Sequence, residues 1–381
     1  MIRIGLVGLG KMGLSHLSIV NAHPDVEVTG ICDATGYLLA VLGKYTGLPT
    51  YSDFDVMLRD AELDAVVIAT PSAMHGAMVR KALDRGLHVF CEKPFCLDPA
   101  ESAELAALAH AQGVVTQVGY HYRYVGAFAE VKRLLDAGAI GRVTHILAEA
   151  YGPVVLKPQG TTWRTKKILG GGSLYDYAAH PLNLVNWYVG ETRRAGGSVL
   201  NPVFSRETDD EVFSTLFHDD GVTSQLSINW SDESQRKMTT KITIWGTQGR
   251  IFADRQEVQA YLRDPQAVPT GYEPGWNVKY TTELTEEVWF YVRGEEYSAQ
   301  VDAFVTRVAA GKTEGRNSFD EAAATDRSIA MIVADAGAPV ALQAAPALPT
   351  GAEPEGLAGV AAGVRTIGRS LRSMARKGAR R

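Results

Sequence analysis

A lysine at the end of a predicted strand is the first residue whose type and position could do chemistry. The apolar run Val89-Phe90-Cys91 continues directly into Glu92-Lys93-Pro94. In an open α/β sheet, ligands bind along the edge formed by the carboxyl ends of the strands. A lysine held there is partly removed from water and can hydrogen-bond a substrate oxygen. The same pattern also fits a surface lysine, so the rest of the chain has to decide.

A glycine-rich loop follows the first predicted strand, residues 2–7. It has the pattern G-x-G-x-x-G and consists of Gly8, Leu9, Gly10, Lys11, Met12 and Gly13. The first glycine permits a tight turn, the second lets the backbone approach a pyrophosphate, and the third lets helix and strand pack closely. The phosphates then lie at the N-terminus of the helix that begins near Leu14.

An acidic residue follows the second predicted strand, residues 26–32. Asp33 comes twenty residues after Gly13, the spacing at which a carboxylate accepts hydrogen bonds from the adenosine ribose. A carboxylate also repels a 2′-phosphate, and Ala34 and Thr35 offer no cation. The pattern therefore favours NAD over NADP. The alternative is that Asp33 is a helix N-cap.

A second candidate group follows the run Gly170-Gly171-Gly172-Ser173. If a helix begins there, Asp176 and His180 are four residues apart and share one face, which Asn183 and Trp187 continue. Such a pair is often a surface ion pair. A histidine is also suited to proton transfer, because its pKa lies close to the working pH.

The elements that position these residues alternate between strand and helix in the first third of the chain. We predict strands at 65–69, 87–91 and 114–118, a helix at 74–83, and a helix that begins after Asp98, with Pro99 and Glu101 in its first turn. Alternation of this kind predicts a parallel, doubly wound sheet with right-handed crossovers. Thr70, Pro71 and Lys93 then lie on one edge beside the glycine-rich loop.

The alternation changes after Arg123. We predict helices at 126–136, 294–308 and 319–335, a long strand at 142–151, and short strands of a meandering sheet at 212–217, 222–229, 241–245 and 250–252. Tyr297 could reach the pocket. Further candidates for the cleft are Tyr120, Tyr122, Arg123, Tyr124, Trp163, Arg164, Lys166 and Lys167. Aromatic faces with hydroxyl and guanidinium groups suit a sugar or cyclitol, although several of the tyrosines fit a core equally well. The cations at 164–167 could bind an anionic substituent.

These motifs resemble those of the Gfo/Idh/MocA family, the relatives of glucose-fructose oxidoreductase and inositol dehydrogenase. The matching segments are GLGKMG at 8–13, TPSAMH at 70–75, ALDRGLHVFCEKP at 82–94 and VGYHYRY at 118–124. The resemblance covers about the first 340 residues. It implies an α/β protein with an N-terminal Rossmann domain, predicted here as residues 1–122, and a C-terminal α+β domain, residues 123–344. The resemblance further implies that the open, largely antiparallel sheet of that second domain forms the floor of the active site and often a homodimer or homotetramer interface.

The resemblance also implies roles for individual residues. His180 becomes the general base and Asp176 its orienting partner or a substrate ligand; Ala179, where relatives carry glycine or another small residue, is a minor departure. The predicted catalytic residues are Lys93, Asp176 and His180. The predicted cofactor-binding residues are Gly8, Leu9, Gly10, Lys11, Met12, Gly13, Asp33, Thr70, Pro71, His75, Glu92 and Lys93. The predicted substrate-binding residues are Lys93, Tyr120, Arg123, Tyr124, Trp163, Arg164, Asp176 and His180.

The expected activity is an NAD-dependent dehydrogenase or ketoreductase of a sugar, sugar acid, nucleotide sugar or inositol. One alternative is an NAD-dependent glycoside hydrolase or epimerase that oxidises its substrate transiently. Another is a non-catalytic NAD(H)-responsive binding protein. The complete set of Lys93, Asp176 and His180 argues against that last alternative, because a sensor does not need all three.

Composition narrows the class of protein. The 381 residues are 46% apolar and 21% charged, enough for two domains with their own cores. The first strand begins beside Met1, so we expect no signal or transit peptide, and no apolar run has the length of a bilayer span. Three cysteines provide neither a disulfide framework nor a metal site. We therefore expect a reduced, cytoplasmic protein without a metal.

The C-terminal segment differs from the rest of the chain. Residues 345–356 contain three prolines and resemble a linker, and residues 357–381 combine apolar residues at helical spacing with arginines. This basic amphipathic segment could lie on an anionic membrane, pack on an acidic subunit or stay partly disordered. Without its cations the chain is more acidic than its net charge of −5, which argues against a nucleic-acid ligand.

Overall fold

The computed structural model describes residues 1–156, 162–234, 238–285, 289 and 295–338. Two sheets with their helices, all within residues 1–337, form one compact unit of the part of the chain that is described. The predictions for the linker and the basic tail, residues 345–381, lie outside the described residues.

The first sheet has six strands in the order β3-β2-β1-β4-β5-β6. Its strands are β1 (Ile2–Val7), β2 (Val26–Cys32), β3 (Thr50–Tyr51), β4 (Ala65–Ile68), β5 (His88–Cys91) and β6 (Thr116–Val118). Every neighbouring pair is parallel. The central strands β4 and β5 are largely apolar and buried because helices cover both faces of such a sheet. This doubly wound order confirms the predicted Rossmann sheet.

Five helices connect these strands: α1 (Lys11–Ala22), α2 (Gly36–Thr46), α3 (Phe54–Asp60), α4 (His75–Leu83) and α5 (Pro99–Gln112). Helix α5 begins as predicted, with the Asp98 carboxylate accepting the Ala100 N–H at 2.9 Å. Helix α3 has an equivalent cap that the sequence offered and the prediction missed, since Asp53 accepts the N–H groups of Asp55 and Val56.

The second sheet has eight strands in the order β14-β13-β12-β11-β7-β10-β9-β8. Its strands are β7 (Val143–Tyr151), β8 (Arg194–Asn201), β9 (Glu211–Phe217), β10 (Thr223–Asn229), β11 (Thr239–Gly246), β12 (Gly249–Ala253), β13 (Glu257–Leu262) and β14 (Gly275–Tyr280). Strands β7 and β10 are parallel, and the other pairs are antiparallel. The predicted open, largely antiparallel sheet is confirmed. It also contains β8, β13 and β14, which were not predicted.

Five further helices complete the described fold: α6 (Gly126–Asp136), α7 (Ala179–Val189), α8 (Thr281–Leu284), α9 (Glu295–Ala310) and α10 (Phe319–Ala336). Helix α9 returns to the first sheet, where Val301, Phe304 and Val305 join the same apolar cluster as Ile4 and Phe90. Helix α10 packs against α5, α7 and β8. The division at residues 122 and 123 stays a prediction. Among the described residues, no helix has the length and apolarity to cross a bilayer.

Candidate active site

A cavity of about 1900 Å³ opens at the carboxyl ends of β1, β4 and β5 and continues over the second sheet. Most of the predicted site residues line it: Gly8, Gly10, Lys11, Met12, Asp33, Thr70, Pro71, Glu92, Lys93, Tyr124, Trp163, Arg164, Asp176 and His180. Both halves of the chain therefore contribute to one cleft. Leu9, Gly13, His75, Tyr120 and Arg123 do not line it.

The glycine-rich loop has the shape that a pyrophosphate requires. Gly8 has a φ of +89°, and a Cβ there would lie 2.7 Å from the carbonyl of Ala69. A Cβ on Gly13 would overlap the carbonyl oxygen of Gly8, whereas the space beside Gly10 is open. Helix α1 starts at Lys11 without a side-chain cap, which leaves its first N–H groups for a bound anion. These residues fit the phosphates of a dinucleotide.

Asp33 is held at the end of β2 by two backbone donors. Its Oδ2 accepts the N–H of Leu9 at 2.6 Å, and its Oδ1 accepts the N–H of Thr35 at 2.8 Å. Burial opposes the charge, but these hydrogen bonds outweigh it and lower the pKa of the Asp33 carboxyl. The N-cap alternative is wrong, because Thr35 occupies the N-cap of α2. Asp33 thus presents an ionised carboxylate to the cavity.

Lys93 reaches across the cleft. It follows β5, its peptide bond to Pro94 is cis, and its side chain is mostly buried. The Nζ donates to Oδ1 of Asp176 and to the backbone carbonyl of the same residue, both at 2.8 Å. The strand-end lysine is therefore fixed by a residue that follows the glycine run of the other half.

Glu92 anchors the turn that carries the lysine. Its carboxylate accepts a hydrogen bond from Nε2 of His16 at 2.6 Å and from the N–H of Lys93 at 3.1 Å. Burial disfavours the charge on Glu92, but His16 and Lys93 outweigh this effect and lower its pKa. His16 belongs to α1, so Glu92 ties the turn at Lys93 to the helix that begins at the glycine-rich loop.

His75 lies behind the cavity wall. Its Nδ1 is 2.9 Å from the carbonyl oxygen of Pro94, and its Nε2 is 2.9 Å from that of Thr70. Burial lowers the pKa of His75, although both carbonyls favour the protonated ring. The expected cofactor contact of His75 is therefore corrected: the imidazole joins the loop after β4 to the loop after β5 and lies outside the cavity lining.

Asp176 lies in a π-helical turn, Leu174–Ala178, that runs into α7. Besides Lys93, its carboxylate binds the guanidinium of Arg164, with Nε 2.8 Å from Oδ2. Burial opposes ionisation, but the two cations outweigh it and hold the pKa of Asp176 far below its usual range. The expected Asp176–His180 pair is not formed. Two cations compete for the carboxylate more strongly than a neutral imidazole does.

His180 is packed among aromatic rings. Its ring centroid lies 4.9 Å from that of His121, 4.6 Å from that of Tyr122 and 6.1 Å from that of Tyr120. Its Nδ1 has no hydrogen-bond partner among the described residues. Burial, followed by the nearby charges of Lys93 and Arg255, lowers the pKa of His180 well below its usual value. The ring is therefore neutral at physiological pH.

Two predicted substrate residues are support residues instead. Tyr120 is fully buried. Arg123 is buried as well. Its Nε donates to Oδ1 of Asn183 at 2.7 Å, and its guanidinium forms an ion pair with Glu321 at 2.6 Å. Arg123 thus joins α7 to α10 behind the wall of the cavity, and neither residue lines the cavity, so their predicted contact with substrate is corrected. Tyr124, Trp163 and Arg164 do line the cavity.

Several lining residues were missed: His121, Tyr177, Met238, Arg255 and Glu296. Tyr122, a predicted candidate for the cleft, does line the cavity. His121 stacks on Tyr297, with ring centroids 4.4 Å apart, and Tyr297 reaches the cavity as expected. His121 stands inside the VGYHYRY segment, which offered a signal. Arg255, ion-paired with Glu296, sits in the turn between β12 and β13, and the sequence does not show which turns face the cleft. No cluster suited to a metal ion occurs within the described ranges.

The fold and this cleft together define a Rossmann-type oxidoreductase that uses a nicotinamide dinucleotide. Residues 2–120 match the family model described as "Oxidoreductase family, NAD-binding Rossmann fold", and residues 128–252 match the model of the GFO/IDH/MocA C-terminal domain. The chain belongs to the Gfo/Idh/MocA family, and its cofactor domain is an NAD-binding one.

Curated relatives cover most of the chain. The dTDP-3,4-didehydro-2,6-dideoxy-α-D-glucose 3-reductase of Streptomyces violaceoruber is 29% identical over 330 residues, which are 84% of this chain and 91% of that protein. The scyllo-inositol 2-dehydrogenase (NAD(+)) of Bacillus subtilis (strain 168) is 27% identical over 66% of this chain and 73% of its own. The structure of levoglucosan dehydrogenase in complex with NADH and levoglucosan has a TM-score of 0.78, 24% identity and coverage of 88% and 96%, which shows the shared fold.

Proposed function

We propose that this protein is an NAD-dependent dehydrogenase or ketoreductase that transfers a hydride between the nicotinamide and a secondary alcohol or ketone of a carbohydrate or cyclitol. The observation that supports this most is the shared cavity. Lys93 and His180 line the same cavity as Gly10 of the glycine-rich loop and Asp33 at the end of β2. A polar oxygen between Lys93 and His180 would thus lie in one cleft with the cofactor.

Different residues would bind different parts of the dinucleotide. Gly8, Gly10 and the N-terminus of α1 would hold the phosphates, and Asp33 would accept the hydroxyls of the adenosine ribose. When bound, the nicotinamide supplies the hydride chemistry. The two residues after Asp33, Ala34 and Thr35, carry no positive charge that could bind a 2′-phosphate, which supports NAD as the preferred cofactor.

Lys93 and His180 act on the substrate oxygen. An alcohol donates hydride readily only as its hydroxyl proton leaves, so a base must lie beside that hydroxyl. The neutral imidazole of His180 accepts this proton, and a Lys93 N–H donates a hydrogen bond to the same oxygen and stabilises its developing negative charge. In ketone reduction Lys93 polarises the carbonyl by the same hydrogen bond, and the imidazole of His180, in its protonated form, gives its proton to the oxygen. The low pKa of His180 keeps the imidazole neutral, which is the protonation state that a base requires, although it also makes the ring a weaker base.

The lining of the cleft supports a polyhydroxylated substrate. Tyr124, Trp163 and Tyr177 provide aromatic surface, and Thr285 provides a hydroxyl group, a combination that suits sugar rings. The relatives named above act on a nucleotide sugar and an inositol, and the structural neighbour binds levoglucosan. Sugars, sugar acids, nucleotide sugars and inositols are therefore the substrate classes to examine.

The activity is tested by an absorbance screen of these classes with NAD and with NADP. Variants Lys93→Ala and His180→Ala should lose hydride transfer while NAD binding survives. Arg206 is an exposed cation outside the cavity lining and provides a matched control, so Arg206→Gln should keep the activity of the wild type. Retained turnover in both site variants would refute the proposed roles. Reduction of NAD by a free polyol would distinguish a dehydrogenase from a glycoside hydrolase or epimerase that only oxidises transiently.

We also propose that the second sheet mediates a homodimer or homotetramer. Phe213 on β9 and Trp276, Val278 and Tyr280 on β14 are exposed apolar side chains, and burial of such surface favours association. Light scattering at several concentrations measures the mass. A monomer throughout would contradict this arrangement.

A further inference from the structure

The carboxylate of Asp176 is shared by two cations from different segments. Lys93 donates to Oδ1 and Arg164 donates to Oδ2, each at 2.8 Å. We propose that Arg164 is a positioning residue, which sets the place of the Lys93 ammonium through Asp176 and does not itself bind the reacting part of the substrate. This inference rests on the proposed role of Lys93.

The donors of Lys93 show why its position depends on Asp176. An ammonium group has three N–H donors. Two of them are used by Asp176, one on the carboxylate and one on the backbone carbonyl. One donor is left for a substrate oxygen, and its direction is fixed by the other two. A movement of the Asp176 carboxylate therefore redirects the remaining donor of Lys93.

Arg164 holds that carboxylate in place. With Oδ2 bound to the guanidinium, the carboxylate is less free to turn and offer both oxygens to Lys93. Arg164 itself is packed against the ring of Trp163, with its guanidinium carbon 4.7 Å from the ring centroid. Its side chain is thus supported on one side by an aromatic face and on the other by Asp176.

The glycine run at 170–172 explains how the loop that carries Arg164 can lie so close to the turn that carries Asp176. A Cβ on Gly171 would overlap the backbone carbonyl of Arg164, and one on Gly170 would lie 2.8 Å from the side chain of Leu97 and 3.2 Å from that of Ser72. Glycines at these positions let the loop fold back onto the turn of Asp176. The run that suggested a helix start is also the contact surface for the Arg164 loop.

Charge compensation gives a second effect. The charged and titratable groups around Asp176 are Lys93 after β5, Arg164 before the glycine run, and Tyr177 and His180 on its own helical segment. Only the two cations lower the pKa of Asp176. Loss of Arg164 removes one of them, so the pKa of the carboxyl should rise and Asp176 should protonate at a higher pH.

The test compares Arg164→Gln, Arg164→Lys and the control Arg206→Gln. For Arg164→Gln we expect kcat to fall about 10- to 100-fold, the size of effect that a misplacement of about 1 Å produces, with KM changed less than twofold. Arg164→Lys, which keeps the charge, should recover part of kcat. A loss expressed in KM alone would overturn the proposal, because it would mean that Arg164 binds substrate directly. An unchanged kcat would overturn it as well.

A measurement without substrate separates this proposal from the proposed function. Carbon-13 NMR of carboxyl-labelled aspartate, with the Asp176 signal assigned by its loss in Asp176→Asn, follows the titration of this group. In Arg164→Gln and Arg164→Lys the onset of titration should lie at higher pH than in the wild type, by more in the glutamine variant. An unchanged onset would overturn the proposal. If no substrate turns over with the wild type, the proposed function fails, and the titration still decides whether Arg164 holds the Asp176 carboxylate.

Discussion

The ammonium group of Lys93 and the carboxylate of Asp176 are 2.8 Å apart although 83 positions separate the two residues in the chain. Lys93 follows the fifth strand of the parallel sheet, and Asp176 precedes a helix that packs on the other sheet. This ion pair connects the two halves of the molecule at the centre of the cleft. It also uses the acid that the sequence assigned to His180, so the two proposed catalytic residues are oriented separately.

Two glycines of the phosphate loop should respond differently to alanine. Gly13→Ala forces a Cβ against the carbonyl oxygen of Gly8, and such overpacking costs about 1–3 kcal/mol of stability. Gly10→Ala places its Cβ in open space, so the free protein should unfold as the wild type does while NAD binds more weakly. Urea unfolding and NADH fluorescence titration measure the two effects. Equal stability of both variants would contradict the packing assigned to Gly13.

Asp33 should control the choice of cofactor. Asp33→Asn removes a charged acceptor, and hydrogen bonds to charged groups contribute about 1.5–3 kcal/mol, so the KM for NAD should rise about 10- to 100-fold. The KM for NADP should fall or stay constant, because the charge that repels a 2′-phosphate is gone. Steady-state kinetics with both cofactors measure this. If the KM values for NAD and NADP rise to the same extent, the role of Asp33 is only to hold the loop at Leu9 in shape.

His75 should affect catalysis without touching a ligand. His75→Ala breaks the link between the carbonyl groups of Thr70 and Pro94, and a shift of Lys93 by about 1 Å can cost about 100-fold in rate. We expect kcat to fall and the Kd for NADH to change little. Turnover and NADH titration test this. His75→Gln, which keeps a donor, should recover part of the rate. If both variants turn over as fast as the wild type, His75 has no positioning role.

The pairing of Asp176 with two cations should stabilise the fold at neutral pH. Asp176→Asn leaves the buried ammonium of Lys93 without its partner, and breaking a buried pair in this way costs about 3–5 kcal/mol. The pKa of Asp176 is lowered in the folded state, so its contribution is complete above the unfolded value of 3.8 and is lost as the pH falls below that value.

The measurement is the difference in unfolding free energy between the wild type and Asp176→Asn at several pH values. It should stay constant between about pH 7 and pH 5 and shrink only in more acidic solution. A difference that grows as the pH falls would have the wrong sign and would contradict the ion pair. The variant Arg206→Gln, with an exposed side chain, should show no difference across this range.

Local patterns were sufficient for the parallel sheet. Strand β1, the glycine-rich loop and the start of α5 at Asp98 depend on neighbouring residues, because turns and caps are made by side chains a few positions apart. Strand β14, by contrast, was not predicted. Trp276, Val278 and Tyr280 alternate with polar residues along this strand, a strand pattern that the prediction overlooked, and they lie on its exposed face. It forms because β13 offers its backbone groups as partners.

The sequence alone determined the type of fold, the phosphate loop, the position of Lys93 at a strand end and the residues that lie near the cleft. Tertiary structure decided which side chains pair. Asp176 binds Lys93 and Arg164, Tyr120 and Arg123 turn into the core, and Arg255 enters the cavity from a distant turn. Such pairings depend on how segments far apart in the chain pack, and on which partner best compensates a buried charge, and neither is encoded in spacing along the chain.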